Sequence, residues 1–234
     1  MIRVILAGAS GRTGMPVAAA FEAAAGVQLA ARVAPSLAGA GPGCYGSLAE
    51  ALAGAEADVL VDLTRPELGE AHALAGLARG LAVVLGTTGL DAAARGRVDA
   101  AARTAGLAAF SAPNFALGAV RAMRFAEQAS ALFPDAEIVE LHSQHKLDAP
   151  SGTAEATAER IRAVTGRDVP IHSVRLPGLV AHQETLLGGE GQLLTIRHDA
   201  ISREAFAPGV LLAVRRVREL PPGLTIGLET FLAS

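Results

Sequence analysis

The stretch Ile2-Arg3-Val4-Ile5-Leu6-Ala7-Gly8-Ala9-Ser10-Gly11-Arg12-Thr13-Gly14 decides the class of fold. The apolar run over 2–7 predicts a strand, and an Ala-rich pattern over 14–25 predicts a helix. Between them the glycines recur as G-x-x-G-x-x-G. Glycine at such places permits a tight turn and a close approach of backbone to a pyrophosphate, with the helix N-terminus facing the anion. The spacing is not the commoner G-x-G-x-x-G, and an ordinary strand-to-helix turn is the alternative reading. Its place directly after the first strand favours a dinucleotide.

Working outward, strand-like and helical patterns alternate. Strands are expected over 27–33, 58–63, 81–85 and 106–111, and helices near 47–54, 67–79 and 91–104. Repeated units of this kind with continuously apolar strands predict a parallel sheet covered on both faces, which binds ligands beyond its carboxyl ends. After Phe115 the pattern changes. A helix is expected over 117–132, a strand leading into His142, a helix from 152 to 165, and two or three strands within 171–199. No helices separate those last strands, so a mixed or antiparallel sheet follows. Residues 203–218 read as helix, ending before Pro221-Pro222-Gly223. The fold class is therefore α/β, with a second α+β module after residue 115.

Composition removes several functions. Net charge is −3, there is no Trp and only one Tyr, so neither a basic footprint nor an aromatic stacking platform points to nucleic acid. No apolar run approaches the ~20 residues of a membrane span, and the start does not read as a signal peptide. Cys44 is the single cysteine, which excludes an internal disulfide and a cysteine-based metal site, and fits a cytoplasmic protein. It lies in a Gly/Pro-rich loop with no base nearby and is read as incidental. Arg215-Arg216-Val217-Arg218 reads as a solvated helix face.

The end of the second strand, Ala31-Arg32-Val33-Ala34-Pro35-Ser36, carries no acid to take ribose hydroxyls. Arg12 and Arg32 suit a 2′-phosphate, although Arg32 is equally a strand-edge surface charge. Gly86-Thr87-Thr88-Gly89 and Ser111-Ala112-Pro113-Asn114-Phe115 follow the fourth and fifth strands at the same edge. They suit either a nicotinamide or plain turns. Asp62-Leu63-Thr64-Arg65-Pro66-Glu67 equally reads as a helix cap near Thr64.

The densest chemistry lies in Glu140-Leu141-His142-Ser143-Gln144-His145-Lys146-Leu147-Asp148-Ala149-Pro150-Ser151-Gly152-Thr153-Ala154. Strand alternation puts Glu140 and His142 on one face. His142 titrates near neutrality and is a candidate general acid. Lys146 supplies either a fixed charge for a carboxylate or a proton. Ser151-Gly152-Thr153 opens a helix whose N–H groups suit a carboxylate, or Ser151 simply caps it. A metal site at His142, His145 and Asp148 lacks a scaffold, so no metal is expected.

With both elements in hand, the chain resembles the dihydrodipicolinate reductase family almost end to end. The motifs are the turn at 8–14, DLTRPE at 62–67, GTTG at 86–89, APNF at 112–115, SVR at 173–175, SRxxFAxG at 202–209 and, longest, ExHxxHKxDAPSGTA at 140–154. The resemblance implies a Rossmann-like domain, residues 1–115 completed by 204–234, and a substrate-binding and oligomerisation domain, residues 116–203, in a homotetramer. It implies reduction of the cyclic imine dicarboxylate 4-hydroxy-tetrahydrodipicolinate to tetrahydrodipicolinate, on the route to diaminopimelate and lysine, with NADH or NADPH. It makes His142 the proton donor and acceptor and Lys146 the second proton donor. Ser143, Lys146, Gly152 and Thr153 fall at substrate-binding positions. Gly8, Ala9, Ser10, Gly11, Arg12, Thr13, Gly86, Thr87, Thr88, Ala112, Pro113, Asn114 and Phe115 fall at cofactor positions. Two places depart from the pattern: Ser143 stands where the family has a second histidine, and Ala34 where it has an acid. Cofactor preference therefore stays open. Two other readings remain: a related NAD(P)-dependent oxidoreductase with a changed substrate, or a nucleotide sensor, which would have no need of His142 and Lys146.

Overall fold

The side chains of Val4–Ala7, Val59–Asp62 and Ala82–Leu85 are all buried, as strands covered on both faces must be. In the computed structural model, which describes residues 1–87 and 89–232, they form the middle of a seven-stranded sheet. The elements are β1 (Ile2–Ala7), α1 (Gly14–Ala23), β2 (Val27–Val33), β3 (Cys44–Tyr45), α2 (Leu48–Gly54), β4 (Val59–Asp62), α3 (Pro66–Ala78), β5 (Ala82–Leu85), α4 (Ala92–Ala105) and β6 (Ala108–Ser111). Then come α5 (Leu117–Ser130), β7 (Asp135–Ser143), α6 (Gly152–Thr165), β8 (Ile171–Leu176), β9 (Ala181–Gly189), β10 (Gln192–Ala200), α7 (Ala207–Arg216) and β11 (Gly223–Ile226).

The chain divides into two compact units, Met1–Phe115 with Phe206–Ser234, and Ala116–Ala205. In the first, the order β11-β6-β5-β4-β1-β2-β3 is parallel throughout. The order reverses at β1, which lies between β2 and β4, so the carboxyl ends of these strands open a crevice. Two elements differ from expectation. Cys44 is in an edge strand, not a loop, its neighbours joined to β2 by Arg32 N–H to the Gly43 carbonyl and Ala34 N–H to the Tyr45 carbonyl. Helix α3 begins at Pro66 after Arg65 with no side-chain cap; the Thr64 hydroxyl is bound to Asp62 instead.

The second unit is a four-stranded mixed sheet, β10-β9-β7-β8. Strands β7 and β8 are parallel, joined through α6; the other pairs are antiparallel. Alternation along β7 buries Ile138 and Glu140, and along β9 it buries Thr185 and Leu187. The core faces α5 and α6, which contribute Val120, Met123, Ala126, Ala154 and Ile161. The Ser151 hydroxyl accepts from Ala154 N–H at 3.2 Å to start α6, and Gly166 in the left-handed region ends it.

Candidate active site

The first turn is shaped so that only glycine fits. Gly8 has φ +85°, and a Cβ there would stand 2.6 Å from the Leu63 carbonyl oxygen. At Gly14 a Cβ would lie 1.9 Å from the Gly8 oxygen, inside the start of α1. The N–H groups of Gly8 and Ala9 both reach the Val33 carbonyl, at 2.9 and 3.2 Å, pinning the turn to the end of β2. A cleft of about 410 Å3 opens on this turn, lined by Gly8, Ser10, Gly11, Val33–Pro35, Gly46–Leu48, Leu63–Arg65, Leu68 and His72. Ala9 is buried behind it and Arg12 is exposed. Arg32 forms an ion pair with Glu22, so its charge is committed elsewhere.

One wall of the cleft is built on a buried carboxylate. Asp62, at the end of β4, is fully buried and accepts from Thr64 N–H at 3.2 Å, the Thr64 hydroxyl at 2.9 Å, His72 Nδ1 at 2.5 Å and the Thr87 hydroxyl. Thr87 follows β5, as does Gly86, whose N–H bonds the Asp62 carbonyl at 2.9 Å. Thr88 lies outside the described residues. Ala112, Pro113, Asn114 and Phe115 follow β6 at the same edge; Ala112 and Phe115 are buried, and Phe115 meets Phe110 edge-on at 6.1 Å. The structure thus gathers Gly8, Ser10 and Gly11 with Ala34, Thr64, Arg65 and His72; among the described residues, Gly86, Thr87 and Ala112 to Phe115 do not line this cleft. In the sequence Asp62 stands out only as part of DLTRPE, not as a hub of hydrogen bonds, and nothing singles out His72. An acid ending an apolar strand was the available signal.

In the second unit the strand pairing sets the chemistry. His142 and Glu140 share the helix-covered face of β7, and His142 Nδ1 sits 2.5 Å from Glu140 Oε2. Arg175 on β8 grips the same carboxylate with Nη1 to Oε2 at 2.9 Å and Nη2 to Oε1 at 2.7 Å. Burial alone would push the Glu140 carboxyl up, but hydrogen bonds from Arg175, Ser173 and His142 outweigh it and hold it below the usual carboxylate range. Burial also pushes the His142 imidazole below its ordinary value; Glu140 opposes this, while Lys146 and Arg175 add to it.

After β7 the chain turns. The Ser143 carbonyl accepts from Lys146 N–H at 2.9 Å, and the Ser143 hydroxyl from His145 N–H at 3.4 Å. Lys146 Nζ meets both Asp148 carboxylate oxygens, at 2.8 and 2.7 Å. His142, Ser143 and Lys146 are therefore held by one strand end and its turn, and Gly152 and Thr153 form the first turn of α6 just beyond. His145 is exposed. Arg175, 35 positions from Glu140, was legible only as part of a motif.

Nicotinamide-dependent oxidoreductases are the class that a glycine-turn cradle on a parallel sheet and a carboxylate-held imidazole suit. The fold alone is shared with myo-inositol 2-dehydrogenase from Lactobacillus plantarum, at 12% identity and TM-score 0.63 over 92% of this chain and 89% of that one. Closer matches narrow the class. Residues 2–115 match the family model for the dihydrodipicolinate reductase N-terminus, and residues 118–232 that for its C-terminus. A 4-hydroxy-tetrahydrodipicolinate reductase of Beutenbergia cavernae is 46% identical over 255 aligned positions, 99% of this chain and 98% of that protein. The dipicolinate-bound dihydrodipicolinate reductase from a Paenisporosarcina species superposes with TM-score 0.85 at 36% identity, covering 99% of this chain and 100% of the other. The chain belongs to the dihydrodipicolinate reductase family.

Proposed function

We propose that the chain reduces 4-hydroxy-tetrahydrodipicolinate to tetrahydrodipicolinate with NADH or NADPH, releasing water. The observation that carries this is His142, held by a buried carboxylate, on a strand end that continues through Lys146 to the N-terminus of α6. The first turn fits a dinucleotide because the space that Cβ atoms would need at Gly8 and Gly14 is taken by backbone, which keeps the turn tight and its surface bare. Gly8 to Thr13 would hold the pyrophosphate, and Gly86 to Thr88 with Ala112 to Phe115 would flank the nicotinamide end. Loss of the ring hydroxyl as water, with a proton from the adjacent ring carbon, leaves a C=C conjugated with the imine, and a bound nicotinamide would supply hydride to its far carbon. The ring anion that results would take one proton from His142, while Lys146 keeps positive charge beside it and serves as the second proton donor, to the departing hydroxyl. Gly152 and Thr153 N–H groups, with the partial positive end of α6, hold a substrate carboxylate. Ser143, at the family's histidine position, shapes the turn carrying Lys146 and lies beside the substrate.

We also infer a homotetramer in the cytoplasm. No helix among the described residues is long and apolar enough to cross a membrane. The four-stranded sheet carries Val139, Leu141, Val174 and Leu186 on the face opposite its helices, a surface suited to a second copy. Oxidation of NADH or NADPH with the imine, followed at the nicotinamide absorbance, tests the reaction. Turnover in His142→Gln should fall about 10²–10⁴-fold, the range for an acid–base group, with cofactor affinity kept. No oxidation by the native chain sinks the reaction, and unchanged turnover in the variant removes His142 from it.

A further inference from the structure

We propose that Glu140 and Arg175 are positioning residues for this reaction: the pair fixes which nitrogen of His142 faces the substrate, and Arg175 anchors the loop that carries Lys146. The inference rests on the functional reading above and assigns work to residues that touch neither substrate nor cofactor.

Three observations support it. First, Glu140 is an acceptor-only group with no exposure, and its Oε2 is 2.5 Å from His142 Nδ1. A neutral imidazole has one N–H, and a carboxylate demands that it sit on Nδ1. Nε2 is then the nitrogen left to exchange a proton with a ligand. Second, that carboxylate cannot turn. Arg175 occupies both its oxygens as a fork, and Arg175 is itself fixed by Nη1 to the Val174 carbonyl at 2.8 Å. Third, Arg175 Nη2 also donates to the Asp148 carbonyl at 2.8 Å, and the Asp148 side chain holds Lys146 Nζ. One guanidinium therefore joins the orienter of the imidazole to the residue that holds the ammonium. A pair serving stability alone is replaceable by apolar side chains at little cost, and needs neither contact.

The register explains the reach. In the parallel pairing of β7 with β8, Ser173 stands opposite Glu140 and Arg175 opposite His142. The guanidinium lies back along the strand to Glu140, placing the fork beside the imidazole. The charged groups facing His142 are Glu140 from its own strand, Arg175 from β8 and Lys146 from the loop.

The test is Glu140→Gln in the full chain, read first without substrate. Ring-nitrogen NMR shifts of His142, assigned by their loss in His142→Gln, should report mainly the Nδ1–H form in the native chain and a mixture in the variant. The imidazole should titrate lower, since a raising neighbour is gone while Lys146 and Arg175 remain. The limb of kcat that falls with rising pH should then move to lower pH, and kcat should drop about 10–100-fold, the usual effect of an outer hydrogen-bond partner. The affinity for NADPH, read from nicotinamide emission in a chain with no Trp, should not change. If Glu140→Gln does not fold, Glu140→Gln with Arg175→Gln removes both charges together and is read in the same way. Arg175→Lys should preserve the tautomer better than the pH profile. A native tautomer ratio and native pH limb in the Gln variants would overturn the proposal, whatever their stability. A native chain that shows the tautomer but does not reduce the imine would instead overturn the proposed function.

Discussion

Gly152 has room for a side chain that it lacks. A Cβ built there meets no protein atom within 4 Å and the backbone is not left-handed, in contrast to Gly8, where both conditions forbid one. Folding therefore does not require glycine at the first residue of α6. The carboxylate proposed to bind the N–H groups there would. Gly152→Ala should leave the melting temperature unchanged or raise it, since Ala is favoured over Gly in helices by up to ~1 kcal/mol. It should raise KM for the imine about tenfold, the equivalent of ~1.4 kcal/mol of lost binding. A native KM would show that no ligand presses against this residue. His142, Lys146 and Gly152 were legible in the sequence because they stand close together in an uninterrupted motif. Glu140 was legible on the same face of the strand as His142. Its fork with Arg175 was not, because a parallel crossover through α6 separates partners that strand pairing later sets side by side.

At the scale of elements, Asp62 ties together the loop after β4, the loop after β5 and α3. Its four donors come from Thr64 twice, His72 and Thr87. The sequence places the loop after β5 at the sheet's carboxyl edge but leaves DLTRPE as a possible cap, since nothing local says that a strand-ending acid will collect donors 10 and 25 positions away. Short elements were hidden for a related reason. Two residues at β3 and four at β11 are too few to show a period, whereas continuous apolar runs made β4, β5 and β6 evident. Asp62→Ala removes one carboxylate and orphans several buried donors. Breaking a buried charged network of this kind costs about 3–5 kcal/mol. Chemical denaturation should show that loss, and NADPH should bind at least about tenfold more weakly because Thr64 and His72 line the cleft. An unchanged dissociation constant would separate the network from the cleft.

At the scale of the whole molecule, the first unit is built from two distant pieces of chain. Every residue expected to touch the cofactor lies before residue 116, yet the sheet is incomplete without the tail. Strand β11 pairs with β6 from Gly223↔Ala108 to Ile226↔Ser111. Gly209 in α7 approaches the Phe115 backbone so closely that a Cβ would fall 2.0 Å from its oxygen. Phe231 packs on the fully buried Phe110 at 4.7 Å, and the Arg216 guanidinium lies over the Phe231 ring at 5.5 Å. Val210, Ala213, Val214, Val217, Leu228 and Phe231 are all buried. At roughly 1.5–3 kcal/mol for each large apolar side chain removed from water, their loss is on the order of 10 kcal/mol, comparable with the entire stability of a domain. A chain ending at residue 205 should therefore fail to bind NADPH and should lack the cooperative unfolding transition of the first unit, although its glycine turn is intact. Circular dichroism melts and emission titrations of the shortened and full chains check this directly. A shortened chain with native affinity and a sharp transition would show that residues 1–115 form the dinucleotide unit by themselves, and that the tail only covers it.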